Sequence, residues 1–587
     1  MRKRVLKLFI FFLFLVISLR AQQLSDQEIF PKTTGSYNLF DEVIRSGKVM
    51  LISYDDWGFK GSMSLYGLPS SSFEIKYNGL KQTDPLYGTM PFSWFNPRYS
   101  YIEYDEDRFI FNLRPIITED DRLKSRFDYY RGDWSFLNFG LFISGAISEN
   151  AFWRFTGENL AYDGAYGLYG PDLYRYSESI SQSYNFDVKT ALQKYVLNVG
   201  VSYQKLMIGI PGVSTIGFQD QKEYLSWYFA GKNKDYRTSS YIEIESTNQE
   251  DSLSAGIQYS GTIYRNSNTN KAFSFSGEST QLSAFINKEI NFGDYKLLFT
   301  SEPLIQTVYS RSGGVYRQTL INSWVESNLS LKDLELRLRA GIANGKVSGY
   351  ARLFMMLSGK LKINVSTTRD YALYPSVYSV MQGGTGSNFP DEPGFSYSLS
   401  SAGLNINGRF IESETSVNAV NSNFLVPFKM GNIDTLANYE RESINEIYLT
   451  ENFKLTLPWK MVFQSWIIFS PTVDISKFFN YQTFGSVIQE IDLFKGNLHL
   501  YLAGEVLYTS GGERLGWFEE LRQAGYLNND YFTNERLSFN AKIGARIDSF
   551  HIFYAFYNAE GRQFSTLPLI PYRNRLKIFG IEWSFLD

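Results

Sequence analysis

The 587-residue chain has no cysteine, only two histidines and few prolines for its length. Without cysteine there is no disulfide framework, thiolate zinc site, iron–sulfur cluster or cysteine nucleophile. Two histidines do not make a metal centre, because such sites need further matched ligands; no metal or cofactor is expected. Neither charge sign dominates: 57 basic and 60 acidic side chains leave a net charge of −3, so the basic footprint of nucleic-acid binding is missing. After residue 22 no apolar run reaches the ~20 residues that a membrane-crossing helix needs. What the chain does have is rings. Its 42 Tyr, 48 Phe and 10 Trp make it 17% aromatic. A chain so rich in Phe, Tyr, Leu and Ile is not disordered. Two classes remain: a large exported β protein, or a barrel in a bacterial outer membrane.

Export is written at the N-terminus. Arg2, Lys3, Arg4 and Lys7 precede an apolar run from Leu8 to Leu19, and Leu19-Arg20-Ala21 offers a cleavage site. This is the form of a signal peptide over residues 1–21. The run is short for a membrane span, and no cysteine follows it to carry a lipid.

Beyond it, two-residue alternation recurs. Leu334, Leu336, Leu338, Ala340 and Ile342 face away from Glu335, Arg337, Arg339 and Gly341. Leu253, Ala255, Ile257, Tyr259 and Ile263 oppose Ser254, Gln258, Ser260 and Thr262, and the stretches from Leu197 and Leu498 read likewise. Alternation of this kind marks strands with one apolar face. The segments run to about 9–12 residues, near the ~9–11 that a tilted membrane strand needs. Their polar faces carry charges that a wet lumen accepts and a sandwich core or lipid would reject.

Connections differ in kind. Asn291-Phe292-Gly293-Asp294 and Ser358-Gly359-Lys360 are tight, whereas 160–180, 206–224, 370–396, 421–444, 509–536 and 559–573 are long. Short turns at one rim and long loops at the other are the pattern of outer-membrane barrels. Tyr129, Tyr130, Trp134, Trp153 and Phe155 suit interfacial girdles. The expectation is an all-β transmembrane antiparallel barrel of about 22 strands (20–24) over residues 116–587, the size class of plugged transporters. Its last strand, with Phe579, Ile581, Trp583 and Phe585 on one face, resembles an outer-membrane assembly signal. Outer-membrane lipid and the assembly machinery are therefore expected partners.

Residues 22–115 read differently. A short helix is expected over Phe40–Ser46 and a strand over Phe73–Tyr77, which leads into Asn78-Gly79, a strong hairpin dipeptide. Asp84-Pro85 turns the chain again before Gly88, and Pro97 precedes an alternating strand containing Ile102 and Glu103. On Asn78, Gly79, Asp84, Pro85, Gly88, Pro97, Ile102 and Glu103 this segment resembles the plug domain of TonB-dependent receptors. The stretch from Arg114 to Asp133 resembles the start of the barrel in porin-like relatives of that family. The resemblance implies a small plug-like domain in the barrel, solute transport across the outer membrane of a Gram-negative bacterium, and a TonB-type energy-coupling partner. It departs from the pattern in two places. No TonB box stands out after residue 22, and Asp105–Phe111 replaces the usual glycine-rich stretch.

No catalytic constellation stands out, and the chain is not read as an enzyme. His499 lies on the polar face of a strand and His551 begins another. Glu119-Asp120-Asp121 and Asp55-Asp56 lack the spacing of a calcium loop. The Gly-rich loops at 163–171 and 383–386 do not join a strand to a helix, so phosphate cradling is not supported. Arg337, Arg339 and Arg352, with Lys360 and Lys362, are candidates to line a polar path. Tyr371, Tyr374 and Tyr378 are loop candidates for ligand contact, near Phe389 and Phe395. A passive porin, and a surface-interaction barrel without transport, stand as alternatives.

Overall fold

The computed structural model describes residue 47 and residues 50–53, 61–64, 66–105, 110–119, 122–162, 178–210, 231–246, 252–268, 275–311, 314–377, 394–429, 438–473, 479–510, 515–518, 522–527, 535–547, 549–560 and 575–586. The leader (1–21), the helix expected at 40–46, Asp55-Asp56, Asp120-Asp121, Tyr378, Phe389 and both Gly-rich loops lie outside the described residues.

From Lys124 to Leu586 the chain winds into a closed antiparallel barrel. Each wall strand pairs with the next, and the last, Leu576–Leu586, closes on the first, Lys124–Gly132, from Ile578↔Gly132 to Leu586↔Lys124. The wall has 22 strands, because Leu498–Thr509 pairs directly with Arg536–Ile547 and the two short strands between them form a hairpin at the rim. Closure leaves no unpaired edge, which is what lets a sheet stand in lipid.

The wall is inside out relative to a soluble protein. On the strand Leu253–Asn268, Ile257 and Tyr259 are 48% and 54% exposed, while Gln258 between them is 4% exposed. Leu338 and Ile342 likewise face outward while Arg339 is buried. An outward apolar band around the whole circumference would be an aggregation hazard in water. In a bilayer it is solvent-matched. The alternation read from Leu334 to Ile342 therefore has its apolar face toward lipid and its charged face toward the lumen.

Wall strands run from 8 residues (Phe550–Tyr557) to 20 (Asn438–Leu457), many of them longer than the 9–12 expected. A tilted strand crosses the hydrocarbon in ~9–11 residues. The excess continues the sheet toward the rim that carries the long connections. That rim holds 163–178, 211–230, 374–393, 510–535 and 558–575; the rim with the chain ends holds tight turns such as 193–194, 293–294 and 359–360. The division is not complete, because 133–136 and 344–345 are short connections on the long-loop rim. Residues 509–536, expected as a plain loop, contain the hairpin Leu515–Phe518/Gln523–Leu527. Tyr130, expected in a girdle, points instead into the lumen.

Four strands before the barrel form a mixed sheet in the order Leu80–Gln82, Glu74–Tyr77, Ile110–Pro115, Ser100–Asp105. The Asn78-Gly79 turn is as expected: Tyr77 pairs with Leu80, and both turn residues have positive φ, 49° and 72°, the signature of a type I′ hairpin. Ile110–Pro115 runs parallel to Glu74–Tyr77 at the sheet's centre, where sequence reading found only a departure from the family pattern. Ile110, Phe111 and Leu113 are all buried. Phe111 and Leu113 do alternate with half-buried Asn112 and exposed Arg114, but the run is short and ends at Pro115, and a proline argues against a central strand. A second hairpin, Met50–Ser53 with Gly61–Ser64, was not anticipated either.

A β carbon on Gly79 would lie 3.1 Å from the ring of Phe285 on the barrel wall. Gly79→Val combines that crowding with a left-handed backbone, which costs an L residue ~1–2 kcal/mol. The expected result is faster protease cleavage of the N-terminal domain with the barrel intact, seen by timed digestion in detergent.

Candidate functional site

The small sheet sits within the barrel, and its turns carry the residues singled out by the family resemblance. Asn78 Nδ2 donates to the Tyr241 hydroxyl of the wall at 2.9 Å. Asp84 is fully buried. Its Oδ1 accepts from the amides of Leu86 (2.9 Å) and Tyr87 (3.0 Å) and from the Tyr264 hydroxyl of the wall (2.9 Å). The Gly88 amide donates to the Asp84 carbonyl at 2.8 Å, and Gly88 has φ +74° with Pro375 of the 374–393 rim connection 3.2 Å from where a β carbon would stand. Asp84-Pro85-Leu86-Tyr87-Gly88 is thus a turn locked both to itself and to the barrel. Pro97 opens a short 3-10 turn capped by the Asn96 side chain. Ile102 is half-buried, and Glu103 is exposed on the sheet's edge strand, 3.7 Å from Arg114.

Beside Pro97 lies a cluster that sequence reading passed over. Arg98 is buried between barrel strands, with Nη2 3.2 Å from Glu158 and Nη1 3.3 Å from Asp128 and bonded to the Tyr130 hydroxyl. The Tyr99 hydroxyl donates to Asp128 at 2.5 Å. Arg126 reaches Asp128 (2.9 Å) and Glu582 (3.0 Å), and Tyr130 donates to Glu582 at 2.5 Å. The His551 ring stands 2.9 Å from Glu582 and 3.1 Å from the Tyr501 hydroxyl. A second cluster adjoins it. Arg154 pairs with Asp187 at 2.6 Å and donates to the Tyr99 carbonyl at 2.5 Å and to the Tyr77 hydroxyl, while Tyr241 donates to Asp187 at 2.7 Å. Lys76 adds an ion pair to Glu302 of the wall at 2.5 Å.

Buried charges are tolerated only when paired and hydrogen-bonded, and removing one partner is far costlier than losing a surface pair. These clusters seat the N-terminal domain in one position. Their signal in the sequence is faint: Arg126, Asp128 and Tyr130 alternate on the lumen face of the first wall strand, but Tyr99 is 29 residues from Asp128, Arg98 is 32 from Tyr130, and Glu582 is 452 from Tyr130.

Burial, together with the Asp128 carboxylate, raises the Tyr99 hydroxyl above its ordinary pKa, and burial does the same to Tyr77 and Tyr87. The folded state holds these protons more tightly than the unfolded chain, whose tyrosines ionise near 10. Stability from them is therefore intact below pH 10 and is lost as pH rises from there through the folded-state values. Titration of the folded barrel above pH 10 is expected to expose the N-terminal domain to protease before the barrel unfolds.

The three lumen arginines are inward-facing but differ. Arg339 is buried, 3.4 Å from Asp370 and against the rings of Trp324 and Tyr350. Arg337 is half-exposed, 2.6 Å from Glu335, and directly opposite Arg352 in register. Arg352 rests on the Phe354 ring, which Lys362 also approaches. Tyr371, near the end of a wall strand, and Tyr374, at the start of the 374–393 connection, are buried rather than displayed: Tyr371 packs with Leu304 and Leu320, and Tyr374 lies 5.4 Å from Phe395 and accepts from the Leu425 amide at 3.0 Å. His499 contacts Asp492 at 2.6 Å near the rim of tight turns, and Glu119 pairs with Lys189. Among the described residues no group of three metal-ligating side chains converges.

Between the sheet and the wall, at the rim with the chain ends, lies a cavity of about 940 Å³ lined by Tyr101, Glu103, Asn112 and Arg114 of the sheet and Asn198, Glu243, Asn287 and Thr300 of the wall. A separate, small cavity of about 40 Å³ lies beside Trp94, Arg154 and Asp187. At the other end of the small sheet, Tyr66, Leu86, Tyr87 and Phe92 join the wall residues Tyr264, Phe424 and Tyr448 in one packed core.

No family model and no curated protein sequence matches the chain. Solved structures do. The FrpB iron transporter from Neisseria meningitidis (F3-3 variant) superposes with a TM-score of 0.71 at 10% identity, covering 94% of this chain and 97% of that one. A mutant of the ferric enterobactin receptor PfeA from Pseudomonas aeruginosa gives 0.72 at 11% identity, over 94% and 96%. The siderophore receptor PirA from Acinetobacter baumannii gives 0.68 at 11% identity, over 94% and 96%. At these identities the likeness is one of fold: the chain has the architecture of a plugged, 22-stranded outer-membrane barrel, as its resemblance to TonB-dependent receptors implies.

Proposed function

We propose that the protein takes up a solute across the outer membrane of a Gram-negative bacterium, with residues 22–115 as a plug, residues 116–587 as the barrel and residues 1–21 as a removed leader. The observation that carries this reading is the seat itself: Arg98, Tyr99, Tyr77 and Asp84 are ion-paired or hydrogen-bonded to wall residues in the middle of a wide barrel. A plug held so firmly needs work to move it, which favours an energised transporter with a TonB-type partner over a passive porin. No catalytic role is part of the reading.

The structural neighbours are described as an iron transporter and as ferric enterobactin and siderophore receptors, so an iron chelate is the first cargo class to test. In this reading Arg337, Arg339 and Arg352 line the wall past which the released solute moves. Tyr371 and Tyr374, buried below the outer rim, would touch it only after the residues that cover them move aside. The test is uptake of labelled ferric chelates by cells with and without the protein. Energised transport predicts uptake that stops when a protonophore collapses the proton-motive force; uptake indifferent to the protonophore would support the passive porin.

A further inference from the structure

We propose that Lys205, Lys234 and Arg265 form a site on the lipid-facing side of the barrel for a phosphorylated glycolipid of the outer leaflet. The proposal goes beyond the transport reading and does not depend on it, because the site lies outside the wall and would serve a transporter and a porin alike.

The three residues stand on the adjacent strands Tyr195–Ile210, Gly231–Ser246 and Leu253–Asn268. Each points outward, because the residues on either side of it are turned inward: Gln204 and Leu206, Asn233 and Asp235, Tyr264 and Asn266 are all buried. The same three strands carry the apolar band lower down, toward the rim of tight turns. Val201 and Tyr203 are exposed on the first, Ile242 on the second, and Ile257, Tyr259 and Ile263 on the third. The cations therefore come at the outer end of the band, on the side of the long connections, where the headgroups of the outer leaflet begin.

Isolated basic residues at a membrane surface reach singly into water. These are neighbours. Lys234 is directly opposite Arg265 in register, and Lys205, opposite Tyr236, is diagonal to Lys234. Opposed residues have β carbons about 5 Å apart, and like charges directly opposite destabilise a sheet. The Arg265 guanidinium lies over the Tyr236 ring, 5.7 Å from its centroid, which holds it beside the lysines. Lys232, the next outward residue, is paired with Glu178 at 3.0 Å. Among the described residues no carboxylate pairs with Lys205, Lys234 or Arg265. The outward acid Glu278 lies opposite Ile263 rather than opposite Arg265. A sheet that sets two cations face to face draws an anion from its surroundings, and here the surroundings are lipid headgroups. Phosphate fits the set: the Arg265 fork takes two phosphate oxygens, and each ammonium adds a point charge. From the first strand to the third is about 10 Å, farther than one phosphate reaches. That span selects a sugar head bearing two phosphates, with its acyl chains along the apolar band.

The test uses the full mature protein in detergent, with heat-modifiable mobility on gels as the check that the barrel is folded. Purified lipopolysaccharide bearing two phosphates is titrated in, and the retained glycolipid is read by native mass spectrometry. The site predicts binding roughly tenfold or more tighter than that of the same glycolipid stripped of its phosphates, a comparison that needs no variant and decides the matter if a variant fails to fold. Lys234→Gln combined with Arg265→Gln is expected to weaken retention by roughly tenfold or more, because the two opposed cations are lost together. Arg441→Gln, an exposed outward cation on the strand Asn438–Leu457 across the barrel, is expected to leave it unchanged. Equal retention of the two glycolipids, or a folded double variant within twofold of the parent, would overturn the proposal. Competition by inorganic phosphate or by phosphatidylglycerol at the same concentration would overturn it too, since the site would then read any phosphate. Uptake plays no part in the measurement, so failure of the site and failure of the transport reading give separate results.

Discussion

Arg98→Ala is expected to unseat the plug while leaving the barrel closed. Arg98 is the plug's cation in a cluster whose wall side supplies Asp128, Glu158 and Glu582 against Arg126. Without it Asp128 keeps Arg126, but Glu158 is left with amide partners such as Asn138 and no counter-charge. Breaking a buried pair by removing one partner typically costs ~3–5 kcal/mol, and about 1.4 kcal/mol is one decade in population. The unseated plug should therefore become commoner by some two to four decades, measured as the rate at which protease clips the N-terminal domain in detergent. Arg98→Lys should fall between the two, because an ammonium supplies the charge but not the planar fork that spans several acceptors. Equal clipping rates for all three proteins would mean that the cluster does not hold the plug.

The second large effect separates a membrane barrel from a soluble one. Ile257 faces outward near the middle of the apolar band, and Ser254, three residues earlier on the same strand, lines the cavity inside. Ile257→Lys is expected to cost ~2–4 kcal/mol of folding stability in lipid, the usual cost of a cation on the lipid face near the midplane. Ser254→Lys, facing water in the lumen, should change stability by under ~1 kcal/mol. Urea unfolding in lipid vesicles reads both. In a soluble protein Ile257→Lys at a half-exposed site would be nearly neutral, so the sign of the contrast decides the solvent.

Why some of this was legible and some was not follows from the range over which each feature acts. Lipid on one side and water on the other write a period of two into every wall strand, so Leu334–Ile342 and Leu253–Ile263 announce themselves, and length divided by strand spacing places the barrel near 22. The Asn78-Gly79 turn is legible because its conformation is set by two adjacent residues. Ile110–Pro115 was missed because its alternation is short and runs into Pro115, which reads as a break rather than a central strand. The seat was invisible for a different reason. Tyr130 meets Glu582 only because the barrel closes, and Arg98 meets Glu158 only because the plug is inside it. Tyr371 and Tyr374 show the converse, since an aromatic cluster beside a long connection reads like a display of rings but here is buried.

The central claim is that residues 22–115 close a lumen that would otherwise conduct. Single-channel recording in planar bilayers tests it, comparing the full mature chain with one lacking residues 23–115. The account predicts a silent full chain and a large, steady conductance from the deleted one. Equal conductance from both would contradict it, because a segment that makes no difference to current is not a plug.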